Sequence, residues 1–131
     1  MDDNIQLGWI AGLLEGEGTF YVRGGGHSPV IQVMMTDSDI VIRLAKLMNA
    51  HRVTENAKKT KADKSIYRVV VYGESAYKTM KLIYPLMGLR RKEQIGKCFD
   101  IIEDKGMKPW RVTKSTPRGA KVIWEGGDSH S

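Results

Sequence analysis

Two glutamates at the end of a glycine-rich stretch are the residues of this sequence best suited to do chemistry. Glu15 and Glu17 close the stretch IAGLLEGEG, and Gly8, Gly12 and Gly16 recur every four positions through the same segment. Each glycine inside a helix costs roughly 1 kcal/mol relative to alanine, and carboxylates are disfavoured at a helix C-terminus. We therefore expect the glycines to allow a close contact and the acids to hold a cation.

The expected contact is between two copies of the same helix, predicted over about residues 3–15. Glycines spaced by four lie on one helix face, where a second backbone can approach closely. Since the chain has only one such helix, the natural partner is the same helix of a second copy across a two-fold axis. The predicted homodimer interface contains Gly8, Ala11, Gly12, Glu15 and Gly16.

A symmetric dimer would bring the acids of both copies together. Like charges so placed raise each other's pKa or require a cation. Mg²⁺ prefers oxygen ligands and is usually held by one or two carboxylates together with substrate phosphates. Acids that hold a metal against phosphate are suited to metal-assisted phosphodiester hydrolysis.

Composition favours a nucleic acid as the partner of a single domain. The 131 residues carry 21 Lys and Arg against 15 Asp and Glu, which gives a net charge of +6 and a pI near 9.5. A basic balance supports a polyanionic partner.

No apolar run reaches the roughly 20 residues of a membrane helix, and the acidic start is not a signal peptide. We expect a soluble, intracellular protein with no membrane partner. Cys98, the only cysteine, excludes an internal disulfide and is expected in the core.

Two β-hairpins, each followed by a helix, make up most of the predicted fold. Strands are expected at 18–23, 30–35, 51–59 and 65–73, and helices at 3–15, 40–50, 74–84 and 90–104. The order is αββαββα plus one extra helical segment. This order predicts an α+β domain in which an antiparallel sheet has helices on one face and is open on the other.

The open face can be identified because side chains alternate along a strand. It is expected to be polar, basic and partly aromatic, as a surface that fits a major groove should be. The alternative is a sheet face that is merely solvated. The predicted DNA-binding residues are Thr19, Tyr21, Arg23, Gln32, Thr54, Asn56, Lys58 and Arg68.

Residues 105–131 differ from the domain expected over 1–104. This segment has six basic and two acidic residues, two prolines and little periodicity. It is expected to be either a basic arm along phosphates or a partly disordered tail anchored by its tryptophans.

The stretch IAGLLEGEG resembles the motif of the LAGLIDADG homing endonucleases, with Ile for Leu, Leu for Ile, and Glu for both Asp. The αββαββα order is the core fold of that family, and GLRRKEQI (88–95) resembles its basic segment. Resemblance to members with one motif per chain implies a homodimeric endonuclease that cuts both strands of DNA. It would use Mg²⁺ or Mn²⁺ at a near-palindromic site of roughly 20 base pairs, if each half covers about one helical turn. Such enzymes serve intron or intein mobility.

The resemblance also implies a role for each matched residue. Glu17 falls on the metal ligand of the motif, and the backbone carbonyl of Gly16 would complete the site. Glu15 matches the acid that is usually structural. The basic residue that assists near the active site would be Lys92, with Arg91 as the next choice.

The sequence departs from the family where many members carry a polar residue that orders active-site water. The end of the second strand has Met34 and Met35 there. Either Gln32 positions the water instead, or catalysis is weak. The alternatives are a non-cleaving DNA-binding regulator or intron RNA maturase on the same scaffold, and a plain dimeric interaction protein whose basicity is incidental.

Overall fold

Helices and β-hairpins alternate along the chain in the computed structural model, which describes residues 3–23, 28–56, 60–106 and 119–126. The helices are α1 (Asp3–Glu17), α2 (Ser38–Met48), α3 (Gly73–Ile83) and α4 (Leu89–Lys105), with a 3₁₀ turn at Tyr84–Leu86. The strands are β1 (Thr19–Val22), β2 (Pro29–Met35), β3 (Arg52–Glu55), β4 (Tyr67–Tyr72) and β5 (Lys121–Glu125). The predicted α+β class and αββαββα order are confirmed.

All neighbouring strands of the one sheet are antiparallel, in the order β1-β2-β4-β3-β5. The register puts Gln32 between Thr19 and Val70. Two residues further along β2, Met34 pairs with Arg68, which pairs in turn with Thr54 of β3. The two predicted hairpins therefore lie side by side in one sheet, which has the same two faces along its whole width.

The core fills the space between the helices and one face of the sheet. Strand alternation puts Phe20, Ile31 and Val69 on this inner face, and the helices bury Leu44 and Ile95 against it. The α2 helix ends at Met48 and is capped by Asn49, which adopts the left-handed conformation. Pro85 follows the last turn of α3, because proline cannot continue a helix. The helices thus cover one face and leave the other open.

Two features of the fold differ from the sequence-based expectation. Helix α1 continues two residues beyond 15, so both acids belong to its last turn. The segment expected as a tail contains strand β5, which pairs with β3 and has a register shift between Val53 and Thr54. Trp124 of β5 packs against the core. Of the two tryptophans expected as anchors, Trp110 lies outside the described residues.

Cys98 lies in the core, 2% exposed, as expected. Burial raises the pKa of its thiol to about 11, so the group stays protonated at neutral pH. No helix in the described parts of the chain combines the length and the apolar composition needed to cross a bilayer.

Candidate DNA interface and metal centre

The glycine face of α1 points away from the described part of the chain. Gly8, Gly12 and Gly16 are all exposed, and a Cβ added at any of them would meet no atom of the described residues within 4 Å. Ile5, one turn earlier, is 61% exposed. A single copy therefore presents a ridge of bare backbone, which is the geometry that a second copy would need.

The opposite side of α1 faces inward and holds Ala11. This residue is 4% exposed and belongs to the core together with Ile10 and Leu14. Its expected place at the dimer interface is therefore corrected. Residues at i, i+3 and i+4 share a helix face, so Ala11 turns inward with its buried neighbours while Gly12 turns outward.

Glu15 joins the end of α1 to the start of α4. Its Oε1 accepts a hydrogen bond of 2.5 Å from the backbone N–H of Gly88. Arg91 donates from Nε to the main-chain oxygen of Glu15 at 2.8 Å, and the same nitrogen lies 4.0 Å from Oε2. A carboxylate therefore lies at the positive end of α4, and a guanidinium lies at the negative end of α1. The contact explains how the chain tolerates this acid at a helix C-terminus.

Both candidate basic residues lie in the first turn of α4, beside the end of α1. The side chain of Arg91 is only 12% exposed, and its Nη1 donates to Oε1 of Gln94 at 2.9 Å. The ammonium of Lys92 lies 5.7 Å from the centre of the Tyr84 ring. Arg91 is thus fixed by contacts within the chain, and Lys92 is the more loosely held of the two.

Glu17 is the last residue of α1 and is exposed. The backbone N–H of Gly18 donates to the carbonyl of Leu14 at 2.9 Å, and β1 begins at the next residue. Gly18 is required here, because a Cβ would come 2.8 Å from the Leu14 carbonyl oxygen. Glu17 consequently lies at the corner where the glycine ridge meets the first strand of the sheet.

The oxygen donors of Glu17 and Gly16 suit a divalent metal ion whose remaining ligands come from a phosphate or from a second copy of the chain. No group of three or more His, Cys, Asp or Glu residues is assembled within the described parts of one chain. The carboxylate of Glu17 and the carbonyl of Gly16 are oxygen donors of the kind that Mg²⁺ prefers. Because Mg²⁺ is usually held by one or two carboxylates plus phosphate, this donor set is sufficient only when phosphate or a second copy completes it.

On the open face, the predicted residues Gln32 and Arg68 are in contact. Arg68 donates from Nη2 to Oε1 of Gln32 at 3.1 Å. Its Nε is buried and has no hydrogen-bond partner among the described residues. Thr54, the cross-strand neighbour of Arg68, is buried at 7% exposure, whereas Met34 on the other side is 47% exposed. Met34 therefore lies on the outer surface beside the guanidinium.

A second row of the open face contains Tyr21, Val30 and Tyr72 in register. Burial raises the pKa of the Tyr72 hydroxyl, while the charges of Arg68, Arg52 and Arg23 act in the opposite direction. Arg52 and Tyr72, which the sequence analysis did not select, also lie on the open face, because they are two residues before Thr54 and four after Arg68 on their strands.

The remaining predicted interface residues lie on or beside the same face. Thr19 is exposed and pairs with Gln32, and Arg23 follows β1 as an exposed residue. The half-buried Asn56 donates its backbone N–H to Ile66 at 2.9 Å. Lys58 lies outside the described residues.

The chain is similar to known proteins in its three-dimensional structure. No family model and no curated protein sequence matches the chain. The homing endonuclease I-CvuI, in complex with its target (Sro1.3) in the presence of 2 mM Ca, is similar with a TM-score of 0.56 and 19% identity over 77% of this chain and 68% of that chain.

I-CvuI in complex with the I-CreI target (C1221), in the presence of 2 mM Mg and with the DNA not cleaved, is similar with a TM-score of 0.53 and 18% identity. The shares covered are again 77% of this chain and 68% of that chain. Similarity at this level of identity concerns the arrangement of helices and strands. The chain has the fold of the homing endonucleases.

Proposed function

We propose that the protein is a homodimeric, site-specific DNA endonuclease that hydrolyses phosphodiester bonds with Mg²⁺ or Mn²⁺. The observation that carries the proposal is the exposed glycine ridge of α1, which leads directly to the exposed carboxylate of Glu17. A ridge without side chains allows two helices to touch, and their contact brings two Glu17 carboxylates near one axis. The fold shared with I-CvuI, a protein solved in complex with DNA, supports the same function.

The metal would be held by Glu17 and the carbonyl of Gly16, together with a phosphate of the bound duplex. When bound, it would polarise the phosphate and lower the pKa of a coordinated water. Lys92 would contribute positive charge to the phosphate from the start of α4. Arg91 would contribute by holding the end of α1, and Gln32 would contact DNA or active-site water.

The open sheet face would lie over the major groove, with one copy on each side of the dimer axis. Arg68 is suited to a guanine, since arginine can donate to its O6 and N7 atoms together. Thr19, Tyr21, Arg23 and Asn56 would contact bases or phosphates around it. Lys58 and the buried Thr54 complete the proposed set. Two such faces would read a site of roughly 20 base pairs that is near-palindromic because the dimer is symmetric.

The decisive experiment is cleavage of a randomised duplex pool by the full chain with Mg²⁺ and, separately, with EDTA. Cleavage at a restricted set of sequences only with the metal is expected. The oligomeric state is measured on the same sample, since a strictly monomeric protein would contradict the dimer. Uncut duplexes under both conditions would contradict the nuclease activity.

One observation favours a second candidate, a DNA-binding regulator or RNA maturase that does not cleave. Met34 is exposed on the open face near the end of β2, where related enzymes commonly use a polar residue to order water. The cleavage experiment separates the two functions if the bound fraction is measured as well. Tight, salt-dependent binding of duplex without any metal-dependent product would identify the second candidate.

A further inference from the structure

The last turn of α1 ends with four backbone carbonyl groups that the helix itself cannot satisfy. A helix leaves its last four carbonyls without an intrahelical donor, and in α1 these belong to Leu14, Glu15, Gly16 and Glu17. The backbone N–H of Gly18 donates to the carbonyl of Leu14 at 2.9 Å. The other three carbonyls need donors from elsewhere or are open to a ligand.

The oxygen atoms of Glu15 are all engaged by the start of α4. Arg91 donates from Nε to the carbonyl oxygen at 2.8 Å, and the same nitrogen lies 4.0 Å from Oε2. The other carboxylate oxygen, Oε1, accepts the backbone N–H of Gly88. A metal ion would have to displace these contacts before it could bind to Glu15.

The guanidinium that makes these contacts is itself held in place. Its Nη1 donates to Oε1 of Gln94 at 2.9 Å, one turn further along α4, and the side chain of Arg91 is 12% exposed. The planar guanidinium can serve several acceptors in a fixed geometry, whereas a lysine ammonium is a point charge on a flexible stem. Arg91 therefore supplies directed hydrogen bonds as well as positive charge.

Two kinds of oxygen donor stay available beside Glu15. The carbonyl of Gly16 and the carboxylate of Glu17 accept no hydrogen bond and form no ion pair with the described residues, and both residues are exposed. The Glu15 carbonyl and the Gly16 N–H belong to one planar peptide group, so the bond from Arg91 also orients the backbone of Gly16. Without that bond a glycine has wide conformational freedom.

We infer that Arg91, held by Gln94, is a positioning residue that selects which oxygen atoms at the end of α1 bind the metal. The inference rests on the proposed function and deepens it. Arg91 withdraws Glu15 from the metal and fixes the backbone that carries the Gly16 carbonyl and the Glu17 carboxylate. It acts through α1, which is a different role from that of a basic group in contact with the scissile phosphate.

The test replaces Arg91 by lysine, which keeps the charge and loses the directed hydrogen bonds. Mn²⁺ is titrated into the complex of the full chain with a duplex that the wild-type protein has selected, and the free ion is measured by electron paramagnetic resonance. One hydrogen bond changes an equilibrium constant by about fivefold, so we expect the Kd of Mn²⁺ to rise by about that factor or more. The Kd of the duplex in Ca²⁺ should stay unchanged. A residue that contributed charge alone would leave both constants unchanged.

Two further variants separate positioning from a general loss of stability. Thr79→Val removes another hydrogen bond of 2.8 Å from a side chain to a carbonyl, the one to Ser75 within α3. It should lower the melting temperature without changing the Kd of Mn²⁺. Gln94→Leu removes the acceptor that holds Arg91 and should raise the Kd of Mn²⁺ by a smaller factor than Arg91→Lys does.

Glu17→Gln, measured in the same way, separates the inference from the proposed function. If Mn²⁺ binding depends on Glu17 but is the same in Arg91→Lys as in the wild-type protein, the inference is wrong and the proposed function stands. An equal loss of Mn²⁺ affinity in the Thr79 variant would also overturn the inference. Mn²⁺ binding that does not depend on Glu17 would instead overturn the proposed metal site.

Discussion

Arg68 on β4 and Gln32 on β2 are joined across the open face by a hydrogen bond of 3.1 Å between Nη2 and Oε1. The bond restricts a long side chain that would otherwise sample many rotamers. An arginine ordered before binding loses less entropy when it contacts a base. The pair is therefore suited to discriminate between bases rather than to attract DNA of any sequence. We therefore expect the two residues to act together.

Replacing Arg68 by alanine is expected to cost about 1–3 kcal/mol of binding free energy and to relax the preference for guanine at one position of each half-site. Selection of bound duplexes from a random pool, sequenced for both proteins, measures the preference. Gln32→Ala should weaken the same preference by a smaller amount. Lys46→Ala, on the helix side, is the control. A guanine preference unchanged in the Arg68 variant would contradict this role.

The carboxylate of Glu17 is expected to be essential for cleavage and dispensable for binding. Glu17→Gln keeps the size of the side chain and removes the charge that a divalent cation needs. Strand scission with Mg²⁺ should be lost, while duplex affinity in Ca²⁺ should change by less than about threefold. The matched control is Glu103→Gln near the end of α4. Retained scission in the Glu17 variant would remove this residue from the metal site.

Substitution at Gly12 should separate folding from dimerisation. Since an added Cβ would meet nothing within 4 Å, Gly12→Ala should not destabilise the single chain and should favour its helix by up to about 1 kcal/mol. The same methyl group would separate two closely packed helices and so weaken the dimer. Sedimentation equilibrium and thermal melting measure the two effects.

Gly96→Ala provides a matched control for this experiment, because it lies in the middle of α4 and a Cβ there also meets nothing within 4 Å. It should give a similar gain in helix stability without any change in association. If both alanine variants dimerise as the wild-type protein does, the glycine ridge is not the interface.

The contact between Glu15 and Arg91 should stabilise the folded chain. Glu15→Ala removes the acceptor for the Gly88 N–H, and Arg91→Ala removes the donor to the Glu15 carbonyl. Each change should lower the free energy of unfolding by about 1 kcal/mol, because the carboxylate is 42% exposed and solvent weakens its charge interactions. Urea unfolding of both single variants and the double variant gives the coupling energy. Strict additivity would indicate that the two side chains act independently.

The order of the elements could be predicted because β1 to β4 are rich in branched and aromatic residues, polar turns separate them, and each hairpin leads into an amphipathic helix. Strand β5 was missed because its residues are half-buried and it is ordered by pairing with β3, which local sequence does not encode. Placement of the open-face residues also followed from alternation. The same alternation could have identified two more residues of the open face. Arg52 lies two positions before Thr54, and Tyr72 lies four positions after Arg68.

What sequence could not predict was the relation between elements distant in the chain. The bond from Glu15 to Gly88 spans 73 residues, and no local pattern indicates that the end of α1 meets the start of α4. Ala11 was assigned to the wrong side of α1 because apolar residues occur all round this helix. Thr54 is buried, and its strand partners are Arg68 of β4 and Val122 of β5, so its burial again could not be predicted without the assembled fold.

The tight junction at Gly18 has a consequence for the proposed endonuclease. Because a Cβ at position 18 would come 2.8 Å from the Leu14 carbonyl oxygen, the residue that joins Glu17 to Thr19 has to be glycine. Under the proposed function, changes in the outward residues of the strands could alter the preferred DNA sequence while Glu17 keeps its place beside the start of β1. The sequence preference could thus change without any change at the metal site.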